Sequence, residues 1–470
     1  MKNLLTVIVF IILFSSAVFA QNAATIEGNW LGALEFSGMK LRIVLKVSKS
    51  ADGFTAKFDS IDQGASDLSI DKITMQDKTV RFEAKQYGLS FEGTLNEKGD
   101  EISGTFRQGE GSSPLVFKRT AEATKISRPQ DPQKPYPYDE QEVSYKNAKD
   151  NVKLAGTLTL PRGAGAFPAV ILITGSGAQD RNETVAGHRP FLVLADYLTR
   201  RGIAVLRVDD RGVGGTDKGS PNFTSENFSE DVLAGIEYLK TRKEIDAKKI
   251  GLIGHSEGGM IAPMVAARSK DAAFIVLMAG LGQTGEDVIY TQTDLLNKTA
   301  GVSPFVRAQT INLLKNIYAI VKTEPDNKRA ETQISEAFIK LSGELSADEK
   351  KEFAPAEASV RAQIPMYLLS WFRYFLAYNP RPTLEKVKVP VLALNGENDL
   401  QVARKENLDL IAAGLKAGGN KDFTIKSFPK LNHLFQTSQT GALGEYDKIE
   451  ETISPIVLET IAEWILKHTK

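Results

Sequence analysis

Between Ala24 and Arg119, apolar and polar residues alternate in short runs, at 41–47 with one break and at 80–84 and 89–95 without one. A period of two is that of a half-buried strand. Asp52-Gly53 and Lys98-Gly99-Asp100 supply residues that tolerate positive φ in tight hairpins. Strand signals separated by turns at about 8–12 residues predict an all-β barrel or sandwich. From Glu142 onward the pattern changes. Residues 152–160 read as a strand, and 169–175, 204–208, 250–253, 274–278 and 391–394 are nearly continuous apolar runs, many of them β-branched. Helical periodicity lies between several of them, as at 191–201 and 228–240. Such runs separated by helices predict a mostly parallel sheet covered on both faces, with ligands at the carboxyl ends of its strands.

Between the two regimes, four prolines fall within residues 129–137, which predicts an extended connector. The expected organisation is therefore a signal peptide (1–20), an all-β accessory domain (21–120), a Pro-rich linker (121–141) and a catalytic α/β domain (142–470). The first segment has one cation, Lys2, an apolar run over 4–14, and Val18 and Ala20 at a small-residue cleavage pattern. It reads as an export signal, too short to span a membrane, so a periplasmic or extracellular protein without a stable membrane anchor is expected.

Composition narrows the chemistry. Lys and Arg total 58, as do Asp and Glu, and a chain of zero formal charge lacks the basic surface of a nucleic-acid binder. There is no Cys, which excludes disulfides, thiolate metal sites and a cysteine nucleophile. No H-E-x-x-H or EF-hand spacing occurs, and two glycine-rich stretches lack the last glycine of a dinucleotide fingerprint, so neither metal nor cofactor is expected.

Gly254-His255-Ser256-Glu257-Gly258 is a G-x-S-x-G between an apolar strand and an Ala/Met-rich helical stretch. That is the setting of a nucleophile elbow, in which glycines leave room for a sharp turn that lifts the Ser hydroxyl above the sheet. The backbone N–H of Glu257 then faces a developing oxyanion. A serine hydroxyl needs a base. Of the four histidines, His255 adjoins the serine and points into packing, His468 closes the last helix, and His188 lies upstream in a loop. His433, in a loop after the strand at 423–428, fits the chain order Ser…Asp…His. The orienting acid follows the strand at 391–394: Asp399, with Glu397 as competitor.

On these residues, 142–470 resembles the α/β-hydrolase superfamily. Gly254 to Gly259 resembles the elbow of exported bacterial serine esterases and related serine-peptidase-like hydrolases. Asp210-Arg211-Gly212-Val213-Gly214 looks like the turn after the family's fourth strand. Ile173-Thr174-Gly175-Ser176-Gly177 stands where the family has His-Gly before its oxyanion loop, with Thr174 in place of His. The resemblance implies a second oxyanion donor at the Ser176 N–H, or alternatively at Gly177. The β-rich front half lies outside the resemblance.

About a hundred residues separate the strands at 274–278 and 391–394, more than a crossover needs, which predicts a helical lid insertion at about 283–385. Ser303-Pro304 and Ser346-Ala347-Asp348-Glu349 start two of its helices. Some of Trp371, Phe372, Tyr374 and Phe375 are expected to line an apolar acyl pocket, the rest packing the lid onto the body, and Arg181 is expected to shape the pocket entrance. The expected function is a secreted serine hydrolase cleaving carboxylic esters through an acyl-enzyme, acting on a small-molecule ester. One alternative is an aminopeptidase or acyl-peptide hydrolase acting on a short peptide, with its anchor among Glu344, Asp348, Glu349 and Glu352. The other is a non-catalytic glycan- or lipid-binding protein.

Overall fold

The computed structural model describes residues 25–470 except 37–38, 51–52, 64, 110 and 121–126. The signal-peptide reading of 1–20, and the start of the Pro-rich linker, lie outside the described residues. The chain divides into two compact units, each with its own sheet.

Among the described residues the first sheet has nine strands: β1 (Gly28–Phe36), β2 (Met39–Ser50), β3 (Gly53–Ser60), β4 (Ala65–Ser69), β5 (Lys72–Gln76), β6 (Thr79–Ala84), β7 (Leu89–Leu95), β8 (Glu101–Gln108) and β9 (Gly111–Thr120). Their order is β2-β1-β9-β8-β7-β6-β5-β3-β4, and β2 also pairs with β3. Eight strands thus close into an antiparallel barrel, with β4 joined outside the ring. Closure removes sheet edges, and the two-residue alternation fills the interior. Phe82, Phe91 and Phe106 face one another across β6, β7 and β8 and are all buried. Trp30 is fully buried in the same core, its indole N–H donating to the Ile26 carbonyl at 2.8 Å.

The second unit holds an eight-stranded sheet: β10 (Asp139–Asn147), β11 (Val152–Leu160), β12 (Phe167–Ile173), β13 (Ala204–Val208), β14 (Ile245–His255), β15 (Phe274–Met278), β16 (Val391–Gly396) and β17 (Phe423–Phe428). The order is β10-β11-β13-β12-β14-β15-β16-β17. β10, β11 and β13 pair antiparallel and the rest parallel, an α/β-hydrolase sheet. Alternate residues of β12 serve opposite faces. Val170 and Leu172 pack with Phe191 and Leu198 of α1 (Pro190–Thr199), and Ala169 and Ile171 with Ile236 of α2 (Ser225–Lys240) and Val265 of α3 (Glu257–Ala266).

β10 starts at Asp139, within the residues read from the sequence as linker. It is an edge strand, and of its nine residues only Val143 and Tyr145 pack on the apolar core, so it carries little apolar signal. Residues 127–138 lie along this unit under polar anchors. The Gln130 side chain accepts from the Ile453 amide and donates to the Ile453 carbonyl, and Asp131 pairs with Arg189 at 2.6 Å.

Between β15 and β16 the chain forms α4 (Gly285–Thr299), α5 (Pro304–Thr323), α6 (Asn327–Glu344), α7 (Ala347–Ala362), α8 (Ile364–Tyr367), α9 (Ser370–Ala377) and α10 (Arg381–Leu384). Ser303 caps α5 with Pro304 at its first position, and Ser346 and Glu349 form a capping box on α7. These helices have a core of their own around Tyr318, Phe338 and Tyr367. Two more helices complete the unit, α11 (Arg404–Ala417) and α12 (Pro455–His468). Among the described residues no helix is long and apolar enough to cross a membrane.

The turn after β13 is fastened by a buried cation: Arg211 reaches Asp150 at 2.6 Å and Asp231 at 2.7 Å. Removing one partner of a buried ion pair strands the other charge. Arg211→Met should therefore lower unfolding free energy by about 3–5 kcal/mol in urea denaturation. Adding Asp231→Asn should recover part of that loss.

Candidate active site

Ser256 sits between the end of β14 and the first residue of α3, at φ 53 and ψ −115. A non-glycine residue at positive φ is strained, and such strain persists only where the surroundings impose it. Here they do so by contact. A Cβ on Gly254 would lie 2.0 Å from the Gly258 carbonyl oxygen, and one on Gly258 would lie 2.1 Å from that of Ile173. The two outer glycines of the motif are therefore demanded by close backbone approach, and α3 is drawn against the end of β12.

His433 lies in the loop after β17, where Asn432 Oδ1 accepts from the Leu434 and Gln436 amides and holds the chain in shape. Its Nδ1 is 2.8 Å from Asp399 Oδ2. Asp399, in the turn after β16, uses its other oxygen to accept from the Gln401 and Val402 amides at 2.8 and 2.9 Å, so the carboxylate is fixed at both ends. Glu397, the competing acid, accepts from Ser427 instead.

Ser256, Glu257, Ser176, His433, Trp371, Phe372 and Phe375 border one cavity of about 300 Å³. Among the described residues, the Ser256 hydroxyl and His433 Nε2 make no hydrogen bond, and the amides of Glu257 and Ser176 donate to no acceptor. Catalytic hydrogen bonds are commonly long before substrate binds. A hydroxyl on a strained turn, an imidazole oriented by a buried carboxylate, and free amides beside them are the parts that acyl transfer requires. Gly177 and Tyr374 do not border the cavity.

Arg181 is a correction. It is absent from the cavity wall, and its guanidinium is bound to Asp209 at 2.6 Å, to Glu142 and to Thr157. Four of its five N–H donors are taken up by these three residues, so Arg181 clamps its loop to the sheet. Of the four lid acids, Glu349 caps α7 and Glu352 accepts from Ser303; none of the four borders the cavity. His188 is buried between the Thr452 hydroxyl and the Tyr446 carbonyl, and burial, with Arg128 nearby, pushes it down to about 4. His468 bonds the Trp464 carbonyl within the last turn of α12.

Three carboxyls around the site, two of them buried and one half-buried, carry no signal in the sequence. Glu257, fully buried, accepts from Ser225 at 2.6 Å and from the Trp371 indole at 2.8 Å, tying the elbow to the lid; burial holds its carboxyl above the ordinary range. Glu183 accepts from the Gly175 amide at 2.7 Å and from His255 Nδ1 at 2.9 Å. Asp210 accepts from the Thr174 hydroxyl at 2.8 Å and the Gln179 amide at 2.9 Å. Their partners are distant in sequence, and no local spacing announces them. Among the described residues, no cluster of three or more His, Asp or Glu is arranged to hold a metal ion.

Burial pushes Asp210 up to about 8, with the charges of Glu257 and Glu183 adding to the rise and the two hydrogen bonds opposing it. An unfolded Asp ionises near pH ~3.9. The stability that its neutral form contributes is thus fully present below about pH 4 and is lost as pH rises through about 8. Asp210→Asn keeps a neutral group of the same shape. Its melting temperature relative to the parent should climb between about pH 4 and pH 8 and then level, by at least about 3 °C at pH 9. A difference that stayed constant with pH would show Asp210 ionised in the fold.

In sequence, the chain is 27% identical over 400 residues to esterase EstD of Thermotoga maritima, spanning 84% of this chain and 83% of the relative. It is 25% identical over 221 residues to acyl-coenzyme A thioesterase 3 of Mus musculus, spanning 45% and 46%. In structure, it is similar to the Pyrococcus furiosus esterase Pf2001, with a TM-score of 0.45 and 16% identity over 74% of this chain and 100% of that one. The model of the X-Pro dipeptidyl-peptidase (S15) family matches residues 150–421, more than half of the chain, and the chain is a hydrolase belonging to that family.

Proposed function

We propose that this chain is a serine hydrolase that cleaves carboxylic esters of small neutral acyl groups through an acyl-enzyme. The observation that carries the reading is the Asp399–His433 hydrogen bond of 2.8 Å on a cavity shared with a serine at positive φ. Ser256 Oγ attacks the ester carbonyl carbon as His433 Nε2 takes its proton. Asp399 holds the Nδ1–H and stabilises the imidazolium. The amides of Glu257 and Ser176 receive the oxyanion. Its collapse expels the alcohol, which takes the proton from His433. Water, deprotonated by the same imidazole, then releases the acid and restores the serine.

The preference for neutral esters rests on the cavity wall. Val288, Ile289, Met366, Trp371, Phe372 and Phe375 form its apolar side, and no Lys, Arg or Asp is among the described residues that border it. Its two carboxyls, Glu183 and Glu257, are already engaged by protein donors. A second reading, cleavage of short peptides from a free amino terminus, is favoured by the family match and would recruit one of those acids. Export of the enzyme is proposed on the pattern of residues 1–20 alone.

Ser256→Ala should abolish turnover of p-nitrophenyl butyrate and labelling by a fluorophosphonate probe, and retained turnover would overturn the assignment. Asp399→Asn should lower kcat by about 10⁴ with little change in KM. Run in parallel, aminoacyl-anilides should be cleaved far more slowly than the butyrate ester. The reverse ranking would select the peptide reading.

A further inference from the structure

His255 precedes Ser256 in the chain, and its ring is buried at the edge of the cavity. Nδ1 faces Glu183 Oε1 at 2.9 Å and Nε2 faces the His433 carbonyl oxygen at 2.9 Å. A carbonyl oxygen cannot donate, so Nε2 carries a proton, and Nδ1 shares a proton with the Glu183 carboxyl in a hydrogen bond. Burial alone would lower His255, but the charge and hydrogen bond of Glu183, with the His433 carbonyl and the charge of Asp399, leave its affinity for the proton raised. The charged and titratable groups facing the ring are Glu183, His433 and Asp399, and the His433 ring lies 4.7 Å away, centroid to centroid.

Glu183 is itself constrained. It is buried, its backbone has φ 53, and the Oε1 that meets His255 also accepts from the Gly175 amide at 2.7 Å, one residue before Ser176. Three hydrogen bonds through these two side chains therefore link the loop carrying the Ser176 amide, the elbow carrying Ser256 and the main chain of His433. We propose that Glu183 and His255 are a positioning pair, a hydrogen-bonded brace that sets the three reacting segments in register. The proposal rests on the reading of Ser256, His433 and Asp399 given above. Neither side chain need touch the substrate; both act by holding others in place, and small misplacements of reacting groups are costly.

The test compares Glu183→Ala, Glu183→Gln and His255→Asn in the full chain, with p-nitrophenyl butyrate as substrate and Ser256→Ala as control. Glu183→Ala should lower kcat by about 10²-fold while KM stays within about threefold. Glu183→Gln keeps an acceptor for Gly175 and should recover at least about tenfold of that loss. His255→Asn keeps a donor near the Nδ1 position but loses the bond to His433, and should lower kcat by about tenfold at unchanged KM. Groups acting as one unit are not additive, so the Gln/Asn double variant should be no slower than about twofold below the worse single one. A kcat for Glu183→Ala within about twofold of the parent, a KM that rises as far as kcat falls, or a Gln variant no better than the Ala variant would overturn the proposal. If Glu183→Ala does not fold, the Gln and Asn variants decide, and additive losses in the double variant would overturn it. Turnover retained in Ser256→Ala would sink the proposed function. A dead Ser256→Ala beside fully active Glu183 and His255 variants would sink this inference alone.

Discussion

The site depends on how near α3 comes to the end of β12. The Gly258 Cα faces the Ile173 carbonyl at a distance that admits no side chain, and Gly254 is pressed against Gly258 in the same way. That approach forces Ser256 to positive φ and aims the helix start, with its free amides, at the cavity. It also places Gly175 beside Ser256, since a Cβ on Gly175 would lie 3.2 Å from the serine's own Cβ. The nucleophile candidate and the amide-bearing loop are thus positioned by one packing event rather than by two independent loops.

A second theme is the amount of carboxyl chemistry buried under so apolar a cavity. Asp399, Glu183 and Glu257 are buried and Asp210 is half-buried, and their partners differ. Asp399 and Glu183 each face an imidazole and backbone amides. Asp210 and Glu257 face mainly neutral donors, and burial raises both. One carboxyl thus stands behind each imidazole, while the other two serve as struts at the elbow and in the turn after β13. Glu257 is a strut of consequence, because its bond to Trp371 joins α9 to the first residue of α3.

The lid divides its aromatic residues between two tasks. Tyr367 is buried in the lid's own core against Tyr318, while Trp371 and Phe375 turn toward the cavity and Phe372 serves both. The strap at 127–138 shows the same economy of local signal. Proline-rich and extended, it reads as a spacer, but Gln130 and Asp131 fasten it through partners more than fifty residues away.

What the amino-acid sequence determined by itself was whatever a short span encodes. Period-two runs located strands of the first sheet and continuous apolar runs those of the second, the capping residues located helix starts at Ser303 and Ser346, and the glycine spacing around Ser256 announced a turn that only close backbone contact can require. Tertiary structure alone decided which polar groups meet. Arg181 looks like any loop cation until Asp209 and Glu142 surround it, and β10 is too polar to announce itself until β11 supplies its ladder. His255 reads as packing until Glu183 and the His433 carbonyl arrive from 72 and 178 residues away. The physical reason is the range of the forces involved. Backbone preference and hydrophobic period are set by neighbours in sequence, whereas the protonation and purpose of a buried polar side chain are set by what the fold brings beside it.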